Sequence, residues 1–135
     1  MVGSKIFEFL CREIFFSEPT AAPSNVRGHN TSSTSILVEW DDVPAYDQNG
    51  IITSYNITYQ SLTENHSNST TVDYPVRQVT LSDLKEFVNY SITVFASTKI
   101  GDGPASDPVY VKTDEDSKYF FTVPLVFVFS FTQYF

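Results

Sequence analysis

Three runs of alternating residues dominate the hydropathy pattern. Ile36, Val38 and Trp40 alternate with Leu37 and Glu39, and Tyr55, Ile57 and Tyr59 alternate with Asn56 and Thr58. Val88, Tyr90, Ile92, Val94 and Ala96 alternate with Asn89, Ser91, Thr93 and Phe95. Side chains at i and i+2 share one face of a strand, so each run predicts a strand with an inward and an outward side. Shorter strand candidates are residues 24–28, 70–74, 76–81 and 108–113. Between them, residues 30–33, 47–50, 64–69 and 101–104 carry the Asn, Asp, Ser, Gly and Pro of turns. Helical periodicity does not persist beyond one turn anywhere in 20–116. Seven short strands at this spacing predict an all-β fold, a two-sheet sandwich. The inward phase assigns Trp40, Tyr55, Ile57, Tyr90 and Ile92 to the core, with Tyr59 beside Tyr55 and with Leu84 ahead of the long strand.

Several pieces in a fixed order sharpen this into a family. Pro23 opens the first strand, Trp40 lies in the second, and Asn49, Gly50 and Ile51 lead into Tyr55-x-Ile57-x-Tyr59. Leu84 stands six residues before Tyr90, and Gly101, Gly103, Pro104, Ser106 and Pro108 precede the last strand. In these features residues 22–114 resemble a fibronectin type III domain, which implies a seven-stranded immunoglobulin-like sandwich. Many members place Pro or Thr between the Leu and the Tyr; here Lys85, Glu86, Phe87, Val88 and Asn89 stand there. The fold implies that the Tyr90 ring packs inward while its hydroxyl bonds a backbone group a few residues upstream. Gly101 and Gly103 are expected to supply backbone angles closed to other residues. Some members carry an integrin-binding Arg-Gly-Asp in this loop; Lys99, Ile100, Gly101 and Asp102 do not form that tripeptide, so the activity is not carried over.

Charge narrows the partners. The chain holds 8 Lys+Arg against 16 Asp+Glu for a net charge of −8, and within 20–116 the count is 5 basic to 13 acidic. Phosphate backbones are bound by clustered Lys and Arg, so nucleic acid is excluded as a partner. The single cysteine, Cys11, lies outside the patterned region, which leaves the domain without an internal disulfide or a thiolate metal site. The single tryptophan excludes the Trp-Ser-x-Trp-Ser signature of cytokine receptors.

No catalytic, metal or cofactor site is expected. His29 and His66 read as residues of polar loops, and a Ser/His/Asp set can be picked from any chain this rich in Ser and Asp. The acidic clusters, Asp41 and Asp42 with Asp47, and Asp114-Glu115-Asp116, lack the offsets and tight turn of a calcium loop. Gly101-x-Gly103-Pro104 has neither the Lys nor the following helix of a phosphate cradle.

The chemistry that does rise above background is a set of N-glycosylation acceptors. Asn-x-Ser/Thr occurs at Asn30, Asn56, Asn65, Asn68 and Asn89, five times against about two expected from composition. Asn56 and Asn89 fall on outward strand phases and Asn30, Asn65 and Asn68 in turns, so all five are expected to be accessible, with Asn65 and Asn68 close enough to compete.

The organisation is an N-terminal flank at 1–19, a domain at 20–116 and a hydrophobic tail at 117–135. Ile6, Phe7, Leu10, Cys11, Ile14 and Phe15 share one helical face, and Glu8, Arg12 and Glu13 interrupt any secretory signal in this stretch. The tail from 119 to 135 contains Pro124 and Gln133 and meets only the lower edge of a membrane span. It reads either as translated intron or as a short membrane segment, and a membrane partner is expected only in the second case.

The resemblance implies a non-catalytic adhesion or receptor module on the cell surface, part of a larger modular protein and contacting other surface or matrix proteins. Residues 41–50, 61–69 and 98–106 are expected to present those contacts. A structural spacer in an intracellular elastic or cytoskeletal array is the alternative. An accessory domain of a carbohydrate-active enzyme would need a catalytic neighbour. Residues 20–116 expressed alone should fold without metal or cofactor and give a β-type circular dichroism spectrum; a random-coil spectrum would refute the fold.

Overall fold

A computed structural model of the chain describes residues 16–116. The candidate helix of residues 6–15, with Cys11, and the tail at 119–135 lie outside the described residues. Seven strands follow in order: β1 Ser24–Asn30, β2 Ile36–Asp41, β3 Ile52–Ser61, β4 Ser67–Asp73, β5 Gln78–Leu81, β6 Asn89–Thr98 and β7 Val109–Lys112. One 3-10 turn, Ala45–Asp47, interrupts the link from β2 to β3. They form two antiparallel sheets, β1-β2-β5 and β4-β3-β6-β7.

The long alternating runs became the centre of the sandwich. β3 and β6 pair along their length, from Ile52↔Thr98 to Ser61↔Tyr90, with an irregularity between Ile52 and Ser54. β2 turns Ile36, Val38 and Trp40 inward against them. Trp40 meets Tyr55 edge to face with ring centroids 5.4 Å apart, the arrangement favoured by the ring quadrupoles. Tyr55, Ile57 and Ile92 are fully buried, and Trp40, Leu84 and Tyr90 nearly so. Each such side chain stabilises the fold by about 1.5–3 kcal/mol through burial. Tyr59 is only half-buried, because its end of β3 lies beyond the cover of the smaller sheet.

Two close approaches hold the sheets at their ends and edges. At Gly28 of β1 an added Cβ would stand 2.4 Å from Val111 Cγ2 of β7, so only glycine lets these edges meet. At Gly103 a Cβ would stand 2.8 Å from the Cβ of Pro19, which is itself buried. Neither Gly101 nor Gly103 adopts a left-handed angle. The need at Gly103 is therefore space, a correction to the expectation of unusual angles.

The segment 82–88 carries the chain from β5 in one sheet to β6 in the other. The Tyr90 hydroxyl accepts a hydrogen bond from the Lys85 backbone N–H at 2.9 Å. Buried Thr113 adds two more: its Oγ1 accepts from the Val88 N–H at 3.0 Å and donates to the Lys85 carbonyl at 2.7 Å. Within this segment Phe87 adopts a left-handed φ of 56°. Its N–H is held by the Asp114 carbonyl at 3.1 Å, and Lys112 Nζ sits 3.2 Å from its ring centroid.

Several expectations need correcting. Val76 is not in a strand: β5 starts at Gln78, after a turn whose Tyr74-Pro75 bond is cis. His29 lies on β1, paired with Leu37, rather than in a loop. Asn30 ends the same strand, and Asn68 lies on β4 and not in a turn, because β4 begins at Ser67. The strand expected at 70–74 is the later part of β4, whose start hydropathy could not mark because its seven residues include only one apolar side chain, Val72.

Removing either half of the crossover's hydrogen bonding should be costly, because the backbone partners stay buried. Tyr90→Phe and Thr113→Val are each expected to lower unfolding free energy by about 1–3 kcal/mol. Urea unfolding monitored by Trp40 fluorescence checks this, and an unchanged midpoint in either variant would contradict it.

Candidate contact surfaces and glycosylation sites

The antiparallel topology sorts the loops to two ends. The 42–51 link precedes β3 and the 99–108 link follows β6, and Ile52 pairs with Thr98, so these two loops share one end. The incoming chain joins them: the Ser17 N–H bonds the Asn49 carbonyl at 2.8 Å, and Thr98 Oγ1 bonds the Ser17 carbonyl at 3.1 Å. The turn at 74–77 closes the same end, with Tyr74 N–H on the Thr53 carbonyl and Arg77 beside Asp42. Residues 31–35, 62–66 and 82–88 lie at the opposite end, where the chain leaves through Asp114. Of the loops expected to make contacts, 41–50 and 98–106 therefore come together, and 61–69 stands apart from them.

Exposed apolar side chains are concentrated at the entry end. Phe16, Tyr46, Ile51, Tyr74, Val76 and Ile100 are all there, with Tyr46 98% and Ile51 76% exposed. Leu62 and Phe87 lie at the exit end, and Tyr110 lies on β7. Apolar area left in water at loop tips around one rim is the usual composition of a contact surface.

Beneath that rim the polar groups are already engaged. The Tyr55 hydroxyl donates to Asp42 Oδ1 at 2.6 Å, and Arg77 Nη1 stands 3.4 Å from Asp42 Oδ2. Burial of the phenol, then the Asp42 hydrogen bond and charge, hold Tyr55 protonated well above the ordinary tyrosine range. Asp41 accepts from Asn25 Nδ2 at 2.7 Å, and Asp47 accepts from Thr20 Oγ1 at 3.1 Å. The three aspartates thus serve separate donors, and no set of three metal-ligating side chains converges among the described residues. His29 Nε2 lies 4.0 Å from Glu39. Among the described residues neither His29 nor His66 hydrogen-bonds a serine through its ring, so no nucleophile–base pair is assembled.

The five glycosylation candidates are not equivalent. Asn56 belongs to a relay on the outer face of the larger sheet. Thr71 Oγ1 donates to Asn56 Oδ1, Asn56 Nδ2 donates to Ser97 Oγ at 2.9 Å, and Ser97 Oγ donates to Asp102 Oδ1. Asn56 is half-buried, and a sugar on Nδ2 would displace it from this relay, contrary to the accessibility expected of it. Asn30 Nδ2 donates to Asp114 Oδ1 in an exposed position. Asn65 accepts from Gln60 Nε2 at 3.2 Å through Oδ1, leaving its Nδ2 outward at a loop tip. Asn68 and Asn89 are exposed on their strands, and their side chains make no hydrogen bond among the described residues.

The hydrogen-bonding roles of Thr113, Ser97 and Ser106 escaped sequence reasoning. Ser106 receives the Val94 N–H on Oγ at 3.0 Å and returns its own N–H to the Val94 carbonyl at 2.9 Å, which stitches the glycine-proline loop to β6. Only the position of Ser106 within the Gly-x-Gly-Pro-x-Ser-x-Pro string could have marked it.

Comparison with known proteins follows this geometry. The family described as fibronectin type III domain matches residues 21–112. Protein sidekick-1 of Gallus gallus is 39% identical over 102 residues, covering 74% of this chain and 5% of that protein. Receptor-type tyrosine-protein phosphatase F of Mus musculus is 38% identical over 103 residues, again 74% of this chain and 5% of the relative. The chain thus spans about one twentieth of the length of these relatives. The crystal structure of the FN5 domain of Drosophila Lar superposes with a TM-score of 0.60 at 30% identity, covering 73% of this chain and 99% of that one.

The Tyr55 phenol sets an alkaline limit. Its folded pKa lies above the unfolded value near 10, so its contribution is complete below pH 10 and is lost as pH rises beyond it. Stability should fall by up to about 1.4 kcal/mol per pH unit above pH 10 from this group. Urea midpoints measured across pH 8–11 should show a slope that Tyr55→Phe reduces; an equal slope in both proteins would exclude the assignment.

Proposed function

Because the chain belongs to the fibronectin type III family, we propose that it serves as a non-catalytic extracellular module of a larger cell-surface protein, making protein–protein contacts and setting the distance between its neighbours. The observation that carries this reading is the separation of the two ends. The chain enters beside an apolar rim and leaves at the opposite end of the sandwich, so each module in a series adds its own length. The entry rim of Tyr46, Ile51, Tyr74 and Ile100 offers the contact surface, and its aromatic content suits a protein partner.

The extracellular placement rests on the acceptor sequences and on likeness to a receptor-type phosphatase. Catalysis by such a relative is a property of that protein, and the groups here that could start it are unassembled or already bonded. The domain's boundaries are proposed at about 20 and 116, with Ser17–Pro19 packed on as its lead-in.

Secretion tests the reading against an intracellular spacer. The full chain behind a secretion leader should leave cultured animal cells as a glycoprotein that loses mass on treatment with an amidase that removes N-glycans. A secreted product of unchanged mass would favour the intracellular array.

A further inference from the structure

The two sheets differ by one strand, and the mismatch opens a groove. β4 is the edge of the four-stranded sheet and β5 the edge of the three-stranded one. Asn68 on β4 is the register partner of Tyr59 on β3, and Tyr59 shares the inward phase of Tyr55 and Ile57. Cross-strand partners project to the same face, so Asn68 points inward, toward space that no strand of the other sheet covers. Exposure rises along that face, from half-buried Val72 and Thr70 to exposed Asn68. The resulting groove of about 450 Å³ lies between Tyr59, Asn68, Thr70 and Tyr90 of the larger sheet and Leu81 and Leu84 at the end of the smaller one. A Glu64–Lys85 ion pair ties the walls together at the exit end.

We propose that Asn68 is a principal glycosylation site of the domain and that the first sugar of its N-glycan lies in this groove as a covering for the overhanging strand. The inference rests on the extracellular reading above. The acceptor sequence Asn68-Ser69-Thr70 is part of the groove's own wall, with the Thr70 hydroxyl on the same face. In the transfer, Asn68 Nδ2 bonds the anomeric carbon of an oligosaccharide carried on a lipid diphosphate. The carbon–diphosphate bond breaks, and one amide proton leaves to the transferase. An N-acetylglucosamine ring presents a C–H face and several hydroxyls. The C–H face suits the half-exposed Tyr59 ring, directly across the strand pair from the attachment point, and the hydroxyls suit the polar wall. The sugar would also shield β4, a seven-residue edge strand with no Lys or Pro to discourage pairing with another chain.

The test uses the full chain secreted from glycosylating cells and the same chain made in bacteria without sugar. Asn68→Gln and, separately, Thr70→Ala are each expected to remove one glycan by mass. Each should lower Tm of the secreted protein by about 4 °C or more, while leaving Tm of the bacterial protein within a degree. Trimming the glycan to its first sugar should preserve Tm, and Asn65→Gln and Asn89→Gln should not change it. Loss of mass in the Asn65 or Asn89 variants but not in the Asn68 variant overturns the proposal and leaves the extracellular reading standing. Absence of glycan from every site overturns both. A glycan on Asn68 whose removal leaves Tm unchanged overturns the groove assignment, and dimerisation of that sugar-free chain would make the groove a docking site for a second copy instead.

Discussion

The fold depends on one crossover. Residues 82–88 must leave the smaller sheet at Leu81 and deliver Asn89 to the larger one, and no strand hydrogen bonds support them on the way. Their backbone groups are satisfied from both directions. Tyr90 reaches back to the Lys85 N–H, and Thr113 reaches across from the end of β7 to Lys85 and Val88. Leu84 N–H bonds the Thr34 carbonyl, so the 31–35 loop joins as well. Because β6 is the partner of both β3 and β7, a displaced crossover would shift the register on which Ile92 and Val94 face the core. It also holds Phe87 in a left-handed conformation that costs of order 1–3 kcal/mol for a bulky residue.

Half of this device was legible in the chain. A tyrosine at the start of an alternating run, six residues after a leucine, carries its own signal, because ring size and phase restrict where it can go. Thr113 carries none: it is one of many Ser/Thr residues, and its partners are 25 and 28 residues away in sequence. The same contrast holds elsewhere. Strands buried on one face show alternation, so β2, β3 and β6 were readable, although Tyr59 on the inward phase of β3 stays half-buried. β4 is an edge strand with little to bury, so only its later part, within 70–74, was expected, and its first residues, Ser-Asn-Ser, read as a loop. Pro19 and Gly103 were unreadable for another reason. Their need for each other is a matter of space between distant segments, and local conformation says nothing of it.

The division of labour between the sheets follows from the polar relay on the larger one. Thr71, Asn56, Ser97 and Asp102 connect β4, β3, β6 and the glycine-proline loop in one chain of hydrogen bonds. Ser106 ties the far side of that loop to Val94. Hydrogen bonds linked in series polarise and reinforce each other where water has limited access. The loop that carries Ile100 at the entry rim is therefore anchored at both its stems, and so is the 42–51 loop, through Asp42 and the Tyr55 hydroxyl. A contact surface built on anchored loops loses less conformational entropy when a partner binds than one built on free loops.

The remaining asymmetry is the unequal strand number. Two sheets of three and four strands cannot cover each other, so some inward-facing positions must meet water. At the β7 edge this is avoided because β1 approaches closely through Gly28, filling the angle with Val111. At the β4 edge nothing comparable happens, since β5 is only four residues long and stops opposite β2. Side chains there turn from apolar to polar in the order Val72, Thr70, Asn68, as the wedge between the sheets widens. An asparagine at the widest point is a residue that tolerates water and can also carry a covalent cover. Where the sandwich is least complete, the groove wall thus carries an asparagine, Asn68, able to accept such a cover.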